Sequence, residues 1–268
     1  MPLLHLMILA LVQGITEFLP VSSSAHLVLV PVFTGWQDQG LLLDVAVHVG
    51  TLGAVMLYLG SDIWGILTGM VRVMRGRRDP KAILAAYIVL ATIPVIIAGY
   101  FMNKYYPNGI RSIVVIGWAT LGFGIFLAIT DWLGMTVRRM NHLCFSDALI
   151  IGVFQILALI PGTSRSGITM SAARLLGFER LDTARFSMLL SIPVIAGAGL
   201  LKGLELHEAG NARLTSDVLV AGGLSFAFAL LAIMVMMAWL RRASFAPFVI
   251  YRVILGLALL VVGYGFIG

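Results

Sequence analysis

Residues 16 to 26 read TEFLPVSSSAH, which places an acid, three consecutive hydroxyls and an imidazole between two apolar stretches. Glu17 lies three residues before Pro20 on the last turn of its arm, and Gln13 sits one turn earlier on the same face. With Ser22, Ser23 and Ser24 in between, and His26 placed to face Glu17 across the turn, the stretch holds a nucleophile, a base and an orienting acid. Serines at a helix start also serve as caps, so these hydroxyls carry either role on sequence grounds.

A second stretch, ALIPGTSRSG from Ala158 to Gly167, has nearly the same shape, and Pro20 to His26 aligns with Pro161 to Gly167 without a gap. Proline ends the arm before each turn, and serine- and glycine-rich backbone after it can turn N–H groups and helix N-termini inward, as an anion site requires. Arg165 narrows the choice of anion, because its planar fork suits phosphate oxygens and a guanidinium at membrane depth needs a partner. Arg165 could instead pair with Glu17 and simply tie the two stretches together; the two roles are compatible. Thr163, Ser164 and Ser166 would add hydrogen bonds. Asp44 and His48, one turn apart, either face the same site or form a structural pair, and Arg252 is expected to snorkel to an interface.

What holds these residues in place must be a membrane protein. The chain of 268 residues is 60% hydrophobic and 11% charged, and its mean hydropathy is +1.02; a soluble domain carries about 25% charged residues. The net charge of +6 comes from basic residues in short loops, which fits topology signalling rather than nucleic-acid binding. A single cysteine, Cys144, excludes an intrachain disulfide and a cysteine-based metal site, and no His-x-x-x-His or Cys-x-x-Cys spacing occurs. The N-terminal stretch lacks a basic region and a cleavage site, so it is expected to belong to the mature protein.

Six segments are long and apolar enough to span: Leu41 to Leu59, Ile83 to Phe101, Ile113 to Leu133, Phe186 to Leu201, Val218 to Leu240 and Phe248 to Ile267. Leu3 to Phe33 and Phe145 to Leu176 are apolar but broken. Basic loops at Arg72 to Lys81, Arg138–Arg139 and Arg241–Arg242 place those turns in the cytoplasm, and the loops around Lys104 and from Glu205 to Asp217 outside. The parity works only if Phe145 to Leu176, basic at both ends, enters and returns. The expected fold is therefore all-α: six transmembrane helices plus two re-entrant helical hairpins in one membrane domain. Two repeats of opposite topology, residues 1–134 and 143–268, would build it.

Gln13-x-x-x-Glu17, followed by PVSSSAH and later by PGTSRSG, resembles the bacterial undecaprenyl-diphosphate phosphatases of the bacitracin-resistance type. The likeness covers essentially the whole chain, including HVGTLGAV from His48 and FSMLLSIP from Phe186. The first position of that family's first motif carries glutamate or glutamine; here it is Gln13, which leaves Glu17 as the carboxylate that matters. The resemblance implies removal of the terminal phosphate from undecaprenyl diphosphate, at a site facing the outer side of the inner membrane. It also implies a homodimer and a divalent cation, Mg2+ or Ca2+. On that footing Arg165 clamps the diphosphate, Ser23 or a water attacks, and Glu17 and His26 handle protons, with Gln13, Ser22, Ser24, Thr163, Ser164 and Ser166 in support. The competing expectation is a secondary transporter or flippase for an anionic polyprenyl lipid, since inverted repeats with broken helices also build alternating access. A channel is disfavoured, because the tips mix both charges and form no ring.

Overall fold

The computed structural model describes residues 2–36, 40–106, 112–209 and 212–265. Every named element is helical, and one isolated bridge, Arg138 to Phe178, is the extent of β pairing among the described residues.

Both broken stretches fold as hairpins. Helices α1 (Leu3–Thr16) and α2 (Ser23–Thr34) flank the first tip. Helices α7 (Phe145–Gln155) and α8 (Arg165–Leu175) flank the second, with a 3₁₀ turn, Ile156–Leu159, ending the incoming arm. Each hairpin is closed at its base. His5 stacks on Trp36 with ring centroids 3.6 Å apart. At the other base, Arg138 N–H donates to the Gly177 carbonyl (3.0 Å) and Glu179 N–H to the Arg138 carbonyl (2.8 Å). The chain from Arg138 to Phe178 thus leaves and returns at one end of the molecule. Basic side chains gathered there are matched by acids: Arg138 grips Asp147, while Arg174, wholly buried, and Arg180 share Asp131. Cys144 is exposed at the N-terminus of α7, where its N–H donates to Asp147.

The remaining helices are α3 (Gly40–Tyr58), α4 (Gly60–Met74), α5 (Pro80–Tyr105), α6 (Ile113–Leu133), α9 (Arg180–Ala209), α10 (Ala212–Leu240) and α11 (Ala246–Gly263). Among the described residues, four helices (α5, α6, α10 and α11) are long and apolar enough to cross a membrane, or five spans if α3 and α4, bent by 78° at Leu59, count as one. Their outward faces carry Ile96, Phe101, Trp118, Ile129, Val235 and Ile254, all exposed, as a lipid-facing surface should. The protein is accordingly a multi-pass membrane protein.

Three expectations about the spans need correction. The connection after the first span is not all loop: residues 75–79, with Arg75, Arg77 and Arg78, are the expected basic turn, but α4 before it exposes Trp64, Leu67, Met70 and Met74 beside Arg72, the make-up of a helix lying at a membrane surface. Its mixed composition hid it from a search for uniform apolar runs. Helix α9 begins six residues before the predicted Phe186, because Arg180 and Arg185 are paired with Asp131 and Asp62 rather than left in a loop. The predicted external loop from Glu205 to Asp217 shrinks to the connection between α9 and α10, which lies outside the described residues. At the start of α5, Asp79 accepts from Lys81 N–H (2.8 Å) and Arg72 (2.9 Å), and the Arg72 hydrogen bond above all holds its carboxyl below the usual range.

Packing crosses between the halves of the chain. Helix α1 lies along α10, and α7 lies along α5; α3 packs on α9 and α10, and α6 on α11 and α8. Small residues permit the close crossings: a Cβ on Gly50 would strike the Gly222 carbonyl, and one on Gly152 would strike the backbone of Ala91. These contacts press the two hairpin tips against each other in the interior.

Candidate active site

The tips are joined by their own hydrogen bonds. Gly162 N–H donates to Ser22 Oγ (3.2 Å), and Ser166 Oγ donates to the Leu19 carbonyl (3.0 Å). Ser22 and Ser164 are the two non-glycine residues with positive φ among the described residues, at 75° and 71°. Each immediately precedes its helix, and each contacts the serine two residues on: Ser22 Oγ to Ser24 Oγ (3.3 Å), Ser164 Oγ to Ser166 Oγ (3.1 Å). Left-handed backbone at a residue with a Cβ is sparsely populated and collects at functional sites. The matching geometry equates Ser22 with Ser164, one residue away from the register in which the prolines align, and the same offset pairs Gln13 with Gln155, both fully buried.

Arg252 fastens the junction. Expected to snorkel, it is instead wholly buried and donates to four main-chain carbonyls: Pro20 (3.1 Å), Gly162 (2.9 Å), Thr120 (3.2 Å) and Ala119 (3.5 Å). One guanidinium can do this because it presents five N–H donors in a rigid fork. The correction has a physical cause: the irregular tips leave carbonyls without helical partners, and a buried cation satisfies them.

Beside the tips lies a cavity of about 370 Å³. Glu17 is its centre of charge, and its two oxygens are used differently. Oε1 meets Arg165 Nη2 at 3.2 Å. Oε2 accepts from Ser23 Oγ (2.7 Å) and Gln13 Nε2 (2.9 Å), and lies 3.4 Å from His48 Nε2. Arg165 is fixed a second time by donating to the Ser187 carbonyl (3.0 Å), and it lines the cavity. The opening residues of α2 and α8 (Ser23, Ser24 and Arg165) line the wall, so two helix N-termini bring partial positive charge to the same space. Leu27, Val28, Val45, Ala158, Val194 and Ile195 supply apolar walls. The cavity thus brings a guanidinium, a hydroxyl bonded to a carboxylate and apolar side chains to one space.

The sequence-derived residues divide into three groups. Glu17, Ser22, Ser23, Ser24, Ser164 and Arg165 line the cavity. Gln13 and Ser166 stand behind it as supports, the former holding Glu17 and the latter holding the first tip. Thr163 is fully buried, has no hydrogen-bond partner for its hydroxyl, and is not part of the cavity wall. His26 also departs from expectation: it turns away from Glu17, with Nδ1 at 2.7 Å from the Ser22 carbonyl and Nε2 at 2.6 Å from Tyr251 Oη. Helical geometry is the reason, since four residues after Ser22 the ring falls back over that carbonyl. The imidazole facing Glu17 belongs to His48, whose Nδ1 lies 2.6 Å from the Asp44 carbonyl. Asp44 and His48 both line the cavity, which resolves in favour of the site the alternatives that sequence left open. Tyr251 carried no sequence signal of its own, and Ser187 was marked only as part of the FSMLLSIP stretch. Among the described residues, no group of three or more His, Cys, Asp or Glu side chains is arranged to hold a metal ion.

Fold and site together define a multi-pass helical membrane protein with a cavity, lined by Glu17 and Arg165, where two hairpin tips meet. The chain belongs to the family described as bacitracin resistance protein BacA, whose model it matches over residues 6–258. It is 51% identical to undecaprenyl-diphosphatase 1 of Rhodospirillum rubrum, over 98% of this chain and 96% of that protein. Undecaprenyl-diphosphatases of Ruegeria pomeroyi (50% identical; 98% of this chain, 100% of that one) and Hahella chejuensis (49%; 96% and 97%) are similar over their length.

Proposed function

We infer that this chain is an undecaprenyl-diphosphatase: a hydrolase that releases the terminal phosphate of undecaprenyl diphosphate and returns the monophosphate carrier lipid to cell-wall synthesis. The observation that carries the reading is the meeting of Ser23 and Arg165 on the two oxygens of one buried carboxylate, in a family whose relatives bear that name. Arg165 and the N-termini of α2 and α8 hold the diphosphate. Ser23 Oγ attacks the terminal phosphorus while its proton passes to Glu17 Oε2, and the bridging P–O bond breaks to release polyprenyl phosphate. Water then attacks the phosphoserine: Glu17 takes its proton and returns it to Ser23 Oγ as the P–Oγ bond breaks and inorganic phosphate leaves. The apolar walls accept the first isoprene units. Because the transferring phosphoryl group needs charge stabilisation more than bond-making help, Arg165 should dominate the rate effect.

The donor set fits a divalent cation carried by the diphosphate rather than one caged by protein. Glu17 is already engaged by Arg165, Ser23 and Gln13, and no group of three or more possible ligands is assembled among the described residues. Mg2+ dehydrates reluctantly and commonly takes its ligands from water and substrate phosphates, so the diphosphate itself would hold it. Bound there, the ion would neutralise part of the diphosphate charge.

In the bilayer, α3, α5, α6, α9, α10 and α11 are assigned as the six transmembrane helices, and the two hairpins as re-entrant, in repeats of residues 1–134 and 143–268. The reciprocal packing of α1 on α10 and of α7 on α5 supports this assignment. Asp44 and His48 sit in the first turns of α3, at the end away from the basic α4, which supports a site facing the outer side of the inner membrane. The test is phosphate release from undecaprenyl diphosphate by purified protein in detergent, where no sides exist. Turnover is expected; none with any added Mg2+ or Ca2+ would return the reading to a lipid transporter.

A further inference from the structure

Gln13 creates a difficulty for the proton that Glu17 receives. An amide cannot take it, and Arg165 on the opposite oxygen is permanently charged. The titratable side chain in contact with the proton-bearing oxygen, Oε2, is His48 at 3.4 Å. Its Nδ1 faces a main-chain carbonyl, that of Asp44, and a carbonyl only accepts; Nδ1 is therefore the protonated nitrogen. The neutral ring consequently turns its Nε2 lone pair toward Glu17. The His48 side chain is 29% exposed and lines the same cavity, so it has a route to water. His26 has no such geometry, with both ring nitrogens engaged by Ser22 and Tyr251.

We propose that His48 is the proton carrier of this site, receiving on Nε2 the proton that Glu17 takes from the nucleophile and passing it to cavity water. The inference rests on the hydrolase reading. Its balance is simple. Ser23 gives its proton to Glu17 as Oγ bonds to phosphorus, and the electron pair of the broken P–O bond leaves on the polyprenyl phosphate. Glu17 then returns to carboxylate as His48 becomes imidazolium, and the imidazolium loses its proton to water. His48 acts through Glu17, so it is a positioning and relay residue, not one that touches phosphorus. The charged and titratable groups facing it are Glu17 from the end of α1, Arg165 from α8 and Asp44 from its own helix; α2 contributes serines and α9 contributes Val194 and Ile195.

The sign of the pH effect follows. The relay requires an unprotonated Nε2 facing Glu17 Oε2, so kcat should fall toward acid in the wild type and the fall should depend on His48. His48→Gln should lower kcat by about 100-fold, leave KM within about threefold, and remove that acid limb. His48→Asn serves as a second variant should the first not fold. Phosphate release across pH 5–9 in detergent reads all three quantities. Wild-type kcat in either variant, or an acid limb that survives the substitution, overturns the relay. So does a flat wild-type profile, whatever the variants do. A wild type with no phosphate release at any pH would instead defeat the hydrolase reading itself.

Discussion

Arg165→Ala should lower phosphate release by about 10³–10⁵-fold, the range seen when an arginine that stabilises a transferring phosphoryl group is lost. The geometry explains the size of the effect. Arg165 is tied on one side to Glu17 and on the other to the Ser187 carbonyl, so its fork enters the reaction already oriented, in a cavity whose wall sets polar groups beside Leu27, Val28, Val45, Ala158, Val194 and Ile195. Lysine keeps the charge but cannot hold two anchors and a phosphate in one plane. Arg165→Lys is therefore expected to stay within about tenfold of the alanine variant, in kcat rather than KM. Near-full activity of the lysine variant would show that a point charge suffices and would contradict the clamp.

Glu17→Gln should cost about 10²–10⁴-fold in kcat through loss of the base. The substitution also leaves Arg165 without its carboxylate, and a buried charge stripped of its partner is strongly destabilising. Two readouts separate these effects: a lower unfolding midpoint reports the stranded guanidinium, and the pH profile reports the base. Glu17→Asp keeps the charge but withdraws it by a methylene, so it should recover stability more fully than turnover. Full turnover in Glu17→Gln would remove the acid from the mechanism.

Much of this site was legible because residue type and spacing are local properties. Glu17, Ser23 and Arg165 were conspicuous as polar groups in apolar surroundings, and α6 coincides with the predicted Ile113 to Leu133 because nothing interrupts that run. What sequence could not supply was rotation and long-range company. His26 was assigned the position held by His48, since nothing in TEFLPVSSSAH says which way a ring four residues past Ser22 will fall. Arg252 was sent to an interface because it lies near the start of a span; the carbonyls that bind it come from α6 and from both tips. The register of the two tips was misjudged for a related reason. Proline is a visible marker, whereas the positive φ shared by Ser22 and Ser164 is a property of the folded turn.

The central claim is that Ser23, deprotonated by Glu17 beside Arg165, attacks the terminal phosphorus. Undecaprenyl diphosphate labelled with 32P in its terminal phosphate, mixed with the protein and quenched in acid within a turnover, tests this most directly. The account predicts label on the peptide carrying Ser23 in the wild type, none in Ser23→Ala, and loss of phosphate release in that variant. Unlabelled Ser23 together with wild-type turnover by Ser23→Ala would contradict it and assign the attack to water.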